Sequence, residues 1–207
     1  MPGQSGEPAA GAVAEFVAVM RRLRAECPWK QEQTHRSLVR YLLEETYETV
    51  DAIDEAEATG DFAHVAEELG DLLLQVVFHA VIAEERGDFD LDDVARGITA
   101  KMRRRNPHVF GDTPDEDLTA EQVDARWQRI KAAERPEGAG PQDPPSALPA
   151  LLYADKVLGR RERAGLPLDV VADSPDLGER LLALVAEARA AGTDPEQALR
   201  DAARRRR

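Results

Sequence analysis

Residues 35–86 read HRSLVRYLLEETYETVDAIDEAEATGDFAHVAEELGDLLLQVVFHAVIAEER, and this stretch decides the fold. Apolar residues recur at helical spacing on both sides of Thr59-Gly60-Asp61, which predicts two helices at about 35–58 and 62–86. Gly60 can adopt the left-handed conformation that ends a helix, and Asp61 can cap the helix that follows. The stretch therefore predicts an antiparallel helical hairpin.

The rest of the chain has the same helical character. No segment shows the strict alternation of apolar and polar residues that marks a strand. Breaks at Pro28, Gly87 and Pro107 separate the periodic stretches. The fold class predicted from these patterns is all-α. The further helices are predicted at about 13–26, 90–105, 119–134, 147–164, 175–191 and 194–206.

Composition divides the chain into four parts. The Pro- and Gly-rich start predicts a disordered N-terminus at 1–10. The main helical domain is predicted at 11–135, a Pro- and Gly-rich linker at 136–147, and a second helical part at 148–207.

Bulk composition restricts the class of protein. Cys27 is the only cysteine, so no internal disulfide can form, as suits a reducing cytoplasm. No apolar run approaches the roughly 18 residues that a membrane span needs. The formal net charge of −13 argues against general binding to duplex nucleic acid. We therefore expect a cytoplasmic protein with neither a membrane nor a duplex nucleic acid as partner.

Two acidic pairs in the predicted hairpin form the candidate functional site. Glu45 and Glu48 are three apart on the first helix, and Glu68 and Asp71 are three apart on the second, so each pair shares a helix face. Glu48 lies 12 residues before Gly60 and Asp71 lies 11 after it, so the hairpin brings both to nearly the same height.

A helical wheel places these acids beside the apolar stripes rather than opposite them. The stripe of the first helix contains Leu38, Tyr41, Leu42 and Ala52. The stripe predicted for the second helix contains Val65, Leu69, Leu72 and Val76. The usual interpretation of acidic helices is a solvated outer face, but acids at the edge of an apolar stripe favour a partly buried site.

Four carboxylates brought together repel one another and need a counter-charge. A divalent cation such as Mg²⁺, which prefers oxygen ligands, is the simplest candidate. Glu44 and Glu67 flank the two pairs and point elsewhere on the wheel. Each can orient other groups, act as a base on water, or simply face solvent.

Cations and aromatic residues outside the hairpin suggest contacts for a phosphate ester. Arg104 and Arg105 close the predicted helix 90–105 and can either stabilise its C-terminus or neutralise phosphates. Trp127 and Lys131 are four apart and can offer a stacking face with a cation. Trp29 is another candidate stacking surface, although a single Trp more often serves packing.

Four short motifs occur in order along the main helical domain. They are CPW at 27–29, LEETYE at 43–48, EELGDLLLQVVFH at 67–79 and RRNPHVF at 104–110. These motifs resemble those of the MazG nucleoside triphosphate pyrophosphohydrolases in the same order. The resemblance covers about residues 11–135, and Trp127 and Lys131 fit the family's next helix.

The resemblance implies an all-α helical bundle that dimerises and cleaves nucleoside triphosphates between the α- and β-phosphates. It implies a requirement for Mg²⁺, with Mn²⁺ as a substitute. The implied metal ligands are Glu45, Glu48, Glu68 and Asp71. Glu44 is implied to orient or deprotonate water, and the implied substrate contacts are Arg104, Arg105 and Lys131 for phosphates and Trp29 or Trp127 for the nucleoside.

Two regions depart from the family pattern. Lys30 stands where the family usually has Asp, which affects the local contact and not the acidic quartet. Residues 148–207 resemble a truncated, degenerate second repeat that lacks the first acidic pair. Asp176 and Glu179 in this tail are therefore expected to serve at a helix N-terminus rather than to hold a metal.

Two other classes of protein compete with this interpretation. Glu32 and His35 form one Glu-x-x-His, but a carboxylate-bridged di-metal bundle normally uses two, and the sequence offers no second at a matching place. A non-catalytic acidic helical protein that binds a regulator is the other alternative. Loss of one acid from the quartet would favour it, and all four are present.

Overall fold

A computed structural model describes residues 9–111, 118–134 and 143–206 of the 207-residue chain. Residues 1–8 of the N-terminus predicted to be disordered lie outside the described residues. Residues 136–142 of the predicted linker also lie outside them. None of the described helices is both long enough and apolar enough to cross a lipid bilayer.

The described residues form helices and contain no strand, which confirms the all-α prediction. Contacts divide the chain into two units, Met1–Trp127 and Gln128–Arg207. The helices are α1 Ala9–Glu26, α2 Pro28–Glu32, α3 His35–Thr59, α4 Ala63–Glu84, α5 Leu91–Arg105, α6 Pro107–Phe110, α7 Ala120–Ala133, α8 Ala150–Arg163, α9 Leu177–Ala190 and α10 Pro195–Arg204.

Helices α3 and α4 form the predicted hairpin and pack along each other. Gly60 ends α3 with φ = 78°, in the left-handed region, and its N–H donates to the carbonyl of Ala56. The Asp61 carboxylate accepts a hydrogen bond from the N–H of Ala63 at 3.0 Å. The expectation for Gly60 is confirmed, whereas the N-cap residue of α4 is Phe62 and Asp61 bonds to the first turn from one residue earlier.

The core of the first unit joins α1, α3 and the C-terminal half of α4. Burying one such aliphatic or aromatic side chain stabilises the fold by about 1.5–3 kcal/mol. The buried core residues are Val17, Met20, Leu38, Val77, Phe78, Val81 and Ile82. None of the metal-binding candidates is among these core residues, so the candidate site lies outside the core.

The apolar stripe predicted for α4 is not the face that a single chain buries. Leu69 is 51% exposed and Val76 is 42% exposed, whereas Val77 and Val81 are buried. Apolar residues surround most of the C-terminal half of α4, so a helical wheel does not single out one face there. The contact with α1 decides which of these residues are covered.

Two short helices were not predicted, because four or five residues are too few to show a period. Both α2 and α6 begin with proline, at Pro28 and Pro107. Proline is favoured at the first helical position since that N–H has no partner inside the helix. The two prolines interrupt the long helical pattern, as predicted, and also start a short helix.

The second unit contains α8, α9 and α10. Arg189 on α9 forms ion pairs with Asp155 at 2.9 Å and Glu162 at 3.1 Å, both on α8. A Cβ at Gly159 would lie 2.7 Å from the Arg189 guanidinium, so glycine allows this close approach. The Asp176 carboxylate accepts from the N–H of Glu179 at the start of α9, as expected for a cap.

Candidate metal centre

A buried threonine connects the two helices that carry the acidic pairs. Thr49 on α3 is 5% exposed, and its hydroxyl donates to the carbonyl of Glu45 at 2.7 Å. The same hydroxyl lies 3.4 Å from the carbonyl of Glu68 on α4. The small side chain at this crossing lets the two helices approach each other beside the acids.

Three of the four predicted ligands lie together. One carboxylate oxygen from each of Glu45, Glu48 and Glu68 lies within 4.8 Å of the other two. The three residues differ in exposure, since Glu68 is buried, Glu45 is half-buried and Glu48 is exposed. The cluster therefore opens to solvent on the Glu48 side and is closed at Glu68.

The Glu68 carboxylate provides a test of whether a cation fits. Glu68 is 9% exposed, and its Oε2 is buried without a hydrogen-bond partner. A buried charged oxygen without a partner is costly. A divalent cation ligated by oxygens would satisfy it and would also offset the repulsion within the cluster, so the donor set fits Mg²⁺ or Mn²⁺.

The surroundings of Glu45 disfavour a negative charge on its carboxylate. Desolvation by burial raises the pKa of Glu45, and the negative charges of Asp71, Glu48 and Glu44 raise it further. Each of these causes disfavours the ionised form of Glu45. A bound cation would act in the opposite direction.

Asp71 lies at the edge of the cluster. Its charge acts on Glu45, which places the fourth predicted ligand near the site, but Asp71 is outside the group of three. Asp71 is half-buried, whereas Glu44 and Glu67 are exposed. The metal-binding role of Asp71 and the water-orienting role of Glu44 stay predictions.

The predicted substrate-binding residues lie on α2, α5 and α7. The Arg105 guanidinium lies over the Trp127 ring at 5.3 Å from its centre. Trp29 meets Tyr41 edge to face, with ring centres 5.7 Å apart. Arg104 is exposed on α5, and Lys131 falls in the second unit. Their contacts with substrate stay predictions.

Lys30, the departure from the family pattern, points toward aromatic rings. Its Nζ lies 5.4 Å from the centre of the Trp29 ring and 5.1 Å from that of Phe78. A cation over aromatic faces is favourable. Lys30 therefore packs beside one of the predicted nucleoside contacts and against the edge of the core.

The sequence analysis assigned no role to His64 or His79 and considered His35 only as part of the Glu32-x-x-His35 motif. His35 and His79 stack in parallel, with their Nδ1 atoms 2.7 Å apart. Burial lowers the pKa of His79, and the charge of His35 lowers it further. His64 lies 3.0 Å from the carboxylate of Glu68. Its position four residues before Glu68 was the available signal.

The fold and the cluster describe an all-α protein with three carboxylates gathered on a helical hairpin. The sequence model of the MazG nucleotide pyrophosphohydrolase domain matches residues 33–110, which include the whole hairpin. The chain is 38% identical over 218 residues to the nucleoside triphosphate pyrophosphohydrolase/pyrophosphatase MazG of Thermotoga maritima, covering 92% of this chain and 81% of that protein. This chain belongs to the MazG family.

Two further comparisons give the extent of the similarity. The chain is 43% identical over 159 residues to the nucleoside triphosphate pyrophosphohydrolase of Escherichia coli K12, covering 74% of this chain and 58% of that protein. The crystal structure of a mazG-related protein from Thermotoga maritima is 24% identical, covers 57% of this chain and 98% of the other, and has a TM-score of 0.48. The chain thus spans little more than half the length of the Escherichia coli relative.

Proposed function

We propose that this chain hydrolyses nucleoside triphosphates, ribo or deoxy and including non-standard nucleotides, to nucleoside monophosphate and pyrophosphate. The observation that carries the proposal is the convergence of Glu45, Glu48 and Glu68 on the α3–α4 hairpin. Membership of the MazG family supports the same reaction, since two of its relatives are named for it. Removal of damaged nucleotides from the cytoplasmic pool is the corresponding cellular role.

Glu45, Glu48, Glu68 and Asp71 would hold Mg²⁺, with Mn²⁺ as a substitute. A bound ion of this kind neutralises charge on the triphosphate and lowers the pKa of a coordinated water. The unpartnered Oε2 of Glu68 and the raised pKa of Glu45 both support a cation at this place.

Glu44 would accept the proton of the attacking water. The water oxygen forms a bond to the α-phosphorus, and the bond from that phosphorus to the oxygen bridging to the β-phosphorus breaks. Pyrophosphate leaves with the electron pair of that bond. Glu44 is exposed and its charge reaches Glu45, which supports a position at the open side of the cluster.

Arg104, Arg105 and Lys131 would contact the phosphates and stabilise the charge that builds on the leaving pyrophosphate. Trp127 lies under the Arg105 guanidinium, which restricts where that cation can point. Trp29 or Trp127 would lie against the nucleoside, since both rings have uncovered surface.

We further propose that the chain forms a homodimer through α3 and α4. Both helices carry large apolar side chains that a single copy leaves exposed. Exposed apolar surface of this kind marks protein interfaces. The residues are Leu43 and Tyr47 on α3 and Leu69, Leu73 and Val76 on α4.

The alternative of a carboxylate di-metal bundle with histidine ligands has less support. The three residues that converge all provide carboxylates. His35, the histidine that this alternative requires, stacks on His79. The His35 ring therefore contacts another histidine, and the Glu32-x-x-His35 motif contributes no residue to the group of three carboxylates.

Substitution of the predicted ligands tests the proposed function. We expect Glu45→Ala and Asp71→Ala to reduce hydrolysis of nucleoside triphosphates by at least about 100-fold, because the substrate's charge is then poorly neutralised. Glu57→Ala, which removes an exposed acid of α3, is the matched control and should stay active.

Circular dichroism should show the same helical content in all three variants. Wild-type turnover retained in both Glu45→Ala and Asp71→Ala would contradict the assignment of the metal centre.

A further inference from the structure

His64, which was not among the predicted site residues, contacts a carboxylate of the cluster. It is the second residue of α4, one helical turn before Glu68. Its Nε2 lies 3.0 Å from Oε1 of Glu68. The His64 side chain is 53% exposed, whereas that of Glu68 is 11% exposed. The half-exposed His64 ring thus contacts the buried carboxylate of Glu68.

The two oxygens of Glu68 have different surroundings. His64 contacts Oε1, and Oε2 is buried without any partner. The terminal torsion of a glutamate is broad and roughly two-fold, so an isolated carboxylate can present either oxygen. A contact at Oε1 removes this freedom and leaves Oε2 as the oxygen available to a cation.

The His64 ring is flanked by acids on both sides. Its Nδ1 lies 3.8 Å from Oε2 of Glu55 on α3. The ring therefore lies between a carboxylate of α3 and a carboxylate of α4, close to the turn that joins the two helices.

We propose that His64 is a positioning residue of the metal centre, which fixes the carboxylate of Glu68 through Oε1 and so directs Oε2 to the divalent cation. The proposal rests on the proposed function, because it assumes that Glu68 binds the metal. Loss of an outer partner of a metal ligand typically weakens metal binding by about 10–100-fold. Since His64 is half exposed, we expect the lower end of that range.

Direct metal binding without nucleotide provides the test. Free Mn²⁺ is measured by electron paramagnetic resonance during titration of the full-length protein. We expect His64→Ala to weaken Mn²⁺ binding by about tenfold. His64→Gln keeps an N–H donor of similar reach and should recover most of the affinity. Glu55→Gln changes the other neighbour of the ring and should bind within about threefold of wild type, because the contact of Glu55 with the ring is 3.8 Å long and exposed to solvent.

Steady-state kinetics separates positioning from substrate binding. For His64→Ala, the Mg²⁺ concentration that gives half-maximal turnover should rise by about tenfold. At saturating Mg²⁺, kcat and the KM for nucleotide should return close to the wild-type values. Thermal unfolding of each variant in EDTA checks that the fold is intact.

Three results would overturn the proposal. Equal Mn²⁺ affinity of His64→Ala and wild type would show that the contact does not position a ligand. Failure of His64→Gln to recover affinity would exclude the role of the N–H donor. A raised nucleotide KM at saturating Mg²⁺ with unchanged Mn²⁺ affinity would assign His64 to the substrate. Absence of Mn²⁺ binding in the wild type would instead show that the metal centre itself fails.

Discussion

Glu45, which is proposed to bind the metal, has surroundings that disfavour its ionised form. Its pKa is raised by burial and by the charges of Asp71, Glu48 and Glu44. A carboxyl group whose pKa is higher in the folded state than in the unfolded state destabilises the fold once it ionises. This penalty is absent below the unfolded pKa, grows as the pH rises from the unfolded to the folded pKa, and is complete above the folded pKa.

We predict that Glu45→Gln raises the stability of the metal-free protein. In EDTA at pH 7 the variant should unfold at a higher temperature than wild type, because it removes one charge from a repelling cluster. At pH 4 the difference should shrink, since Glu45 is then largely protonated in both states. Calorimetry at both pH values measures the effect.

Added Mg²⁺ should reverse the order of the two proteins. Wild type gains stability by binding the ion, whereas Glu45→Gln, with one ligand weakened, gains less. A variant that is less stable than wild type in EDTA at pH 7 would contradict the idea of a strained cluster.

The carboxylate cluster could be predicted at the level of single residues because spacing and the Gly60 turn determine which acids meet. Glu45, Glu48 and Glu68 converge as the sequence predicted. The contact of His64 with Glu68 was not predicted, although the two are four apart. Many pairs have that spacing, and only side-chain direction decides which of them touch.

Among the elements, the turn between α3 and α4 requires a left-handed backbone conformation at Gly60. Gly60 adopts φ = 78°, and no atom lies within 4 Å of the place where a Cβ would be added. A Cβ at residue 60 would meet no neighbouring atom, so only the left-handed backbone conformation disfavours other residue types there. The position of this turn determines how the acidic pair of α3 aligns with the acidic pair of α4.

We predict that Gly60→Ala destabilises the protein by about 1–2 kcal/mol, the typical cost of the left-handed conformation for a residue with a Cβ. Gly97→Ala is the matched control, because Gly97 lies inside α5 with equally open surroundings and an ordinary helical φ. That control should stabilise the protein by about 0.5–1 kcal/mol.

Urea unfolding of both variants gives the two free energies. Equal effects of the two substitutions would contradict the conformational account of the turn, since both replace glycine by alanine in open space.

Helix boundaries followed closely from the sequence, whereas the buried face of α4 did not. Thr34, Asp90 and Asp194 cap the helices α3, α5 and α10 through hydrogen bonds to backbone N–H groups, and such caps give strong local signals. Leu69 and Val76 were expected in the core and are exposed. Periodicity identifies a helix, but in a helix that is apolar on several sides the packing partner decides what is buried.

At the scale of the whole molecule, the exposed apolar residues of α3 and α4 suggest that a single copy is incomplete. Leu69 and Val76 are among the core residues that the sequence predicted for α4. Their exposure in one copy is compatible with burial against a second copy. The single-chain sequence cannot distinguish these two kinds of burial, because both require the same apolar side chains.

We predict that the protein is a homodimer and that Leu73→Glu on α4 converts it to a monomer. A charge placed in an apolar interface is costly because it loses its hydration. Size-exclusion chromatography with light scattering measures the mass. Val19→Glu, which changes an exposed apolar residue of α1, is the control and should leave the dimer intact. A monomeric wild type, or a Leu73→Glu dimer, would contradict the prediction.

The identity of the products tests the central claim most directly. The protein is incubated with Mg²⁺ and each common ribo- and deoxyribonucleoside triphosphate in ¹⁸O-labelled water, and the products are resolved by ³¹P NMR. The account predicts nucleoside monophosphate and pyrophosphate, with the label in the monophosphate, and no turnover by Glu45→Ala. Release of orthophosphate, label in pyrophosphate, or no turnover of any of these nucleotides by the wild type would contradict it.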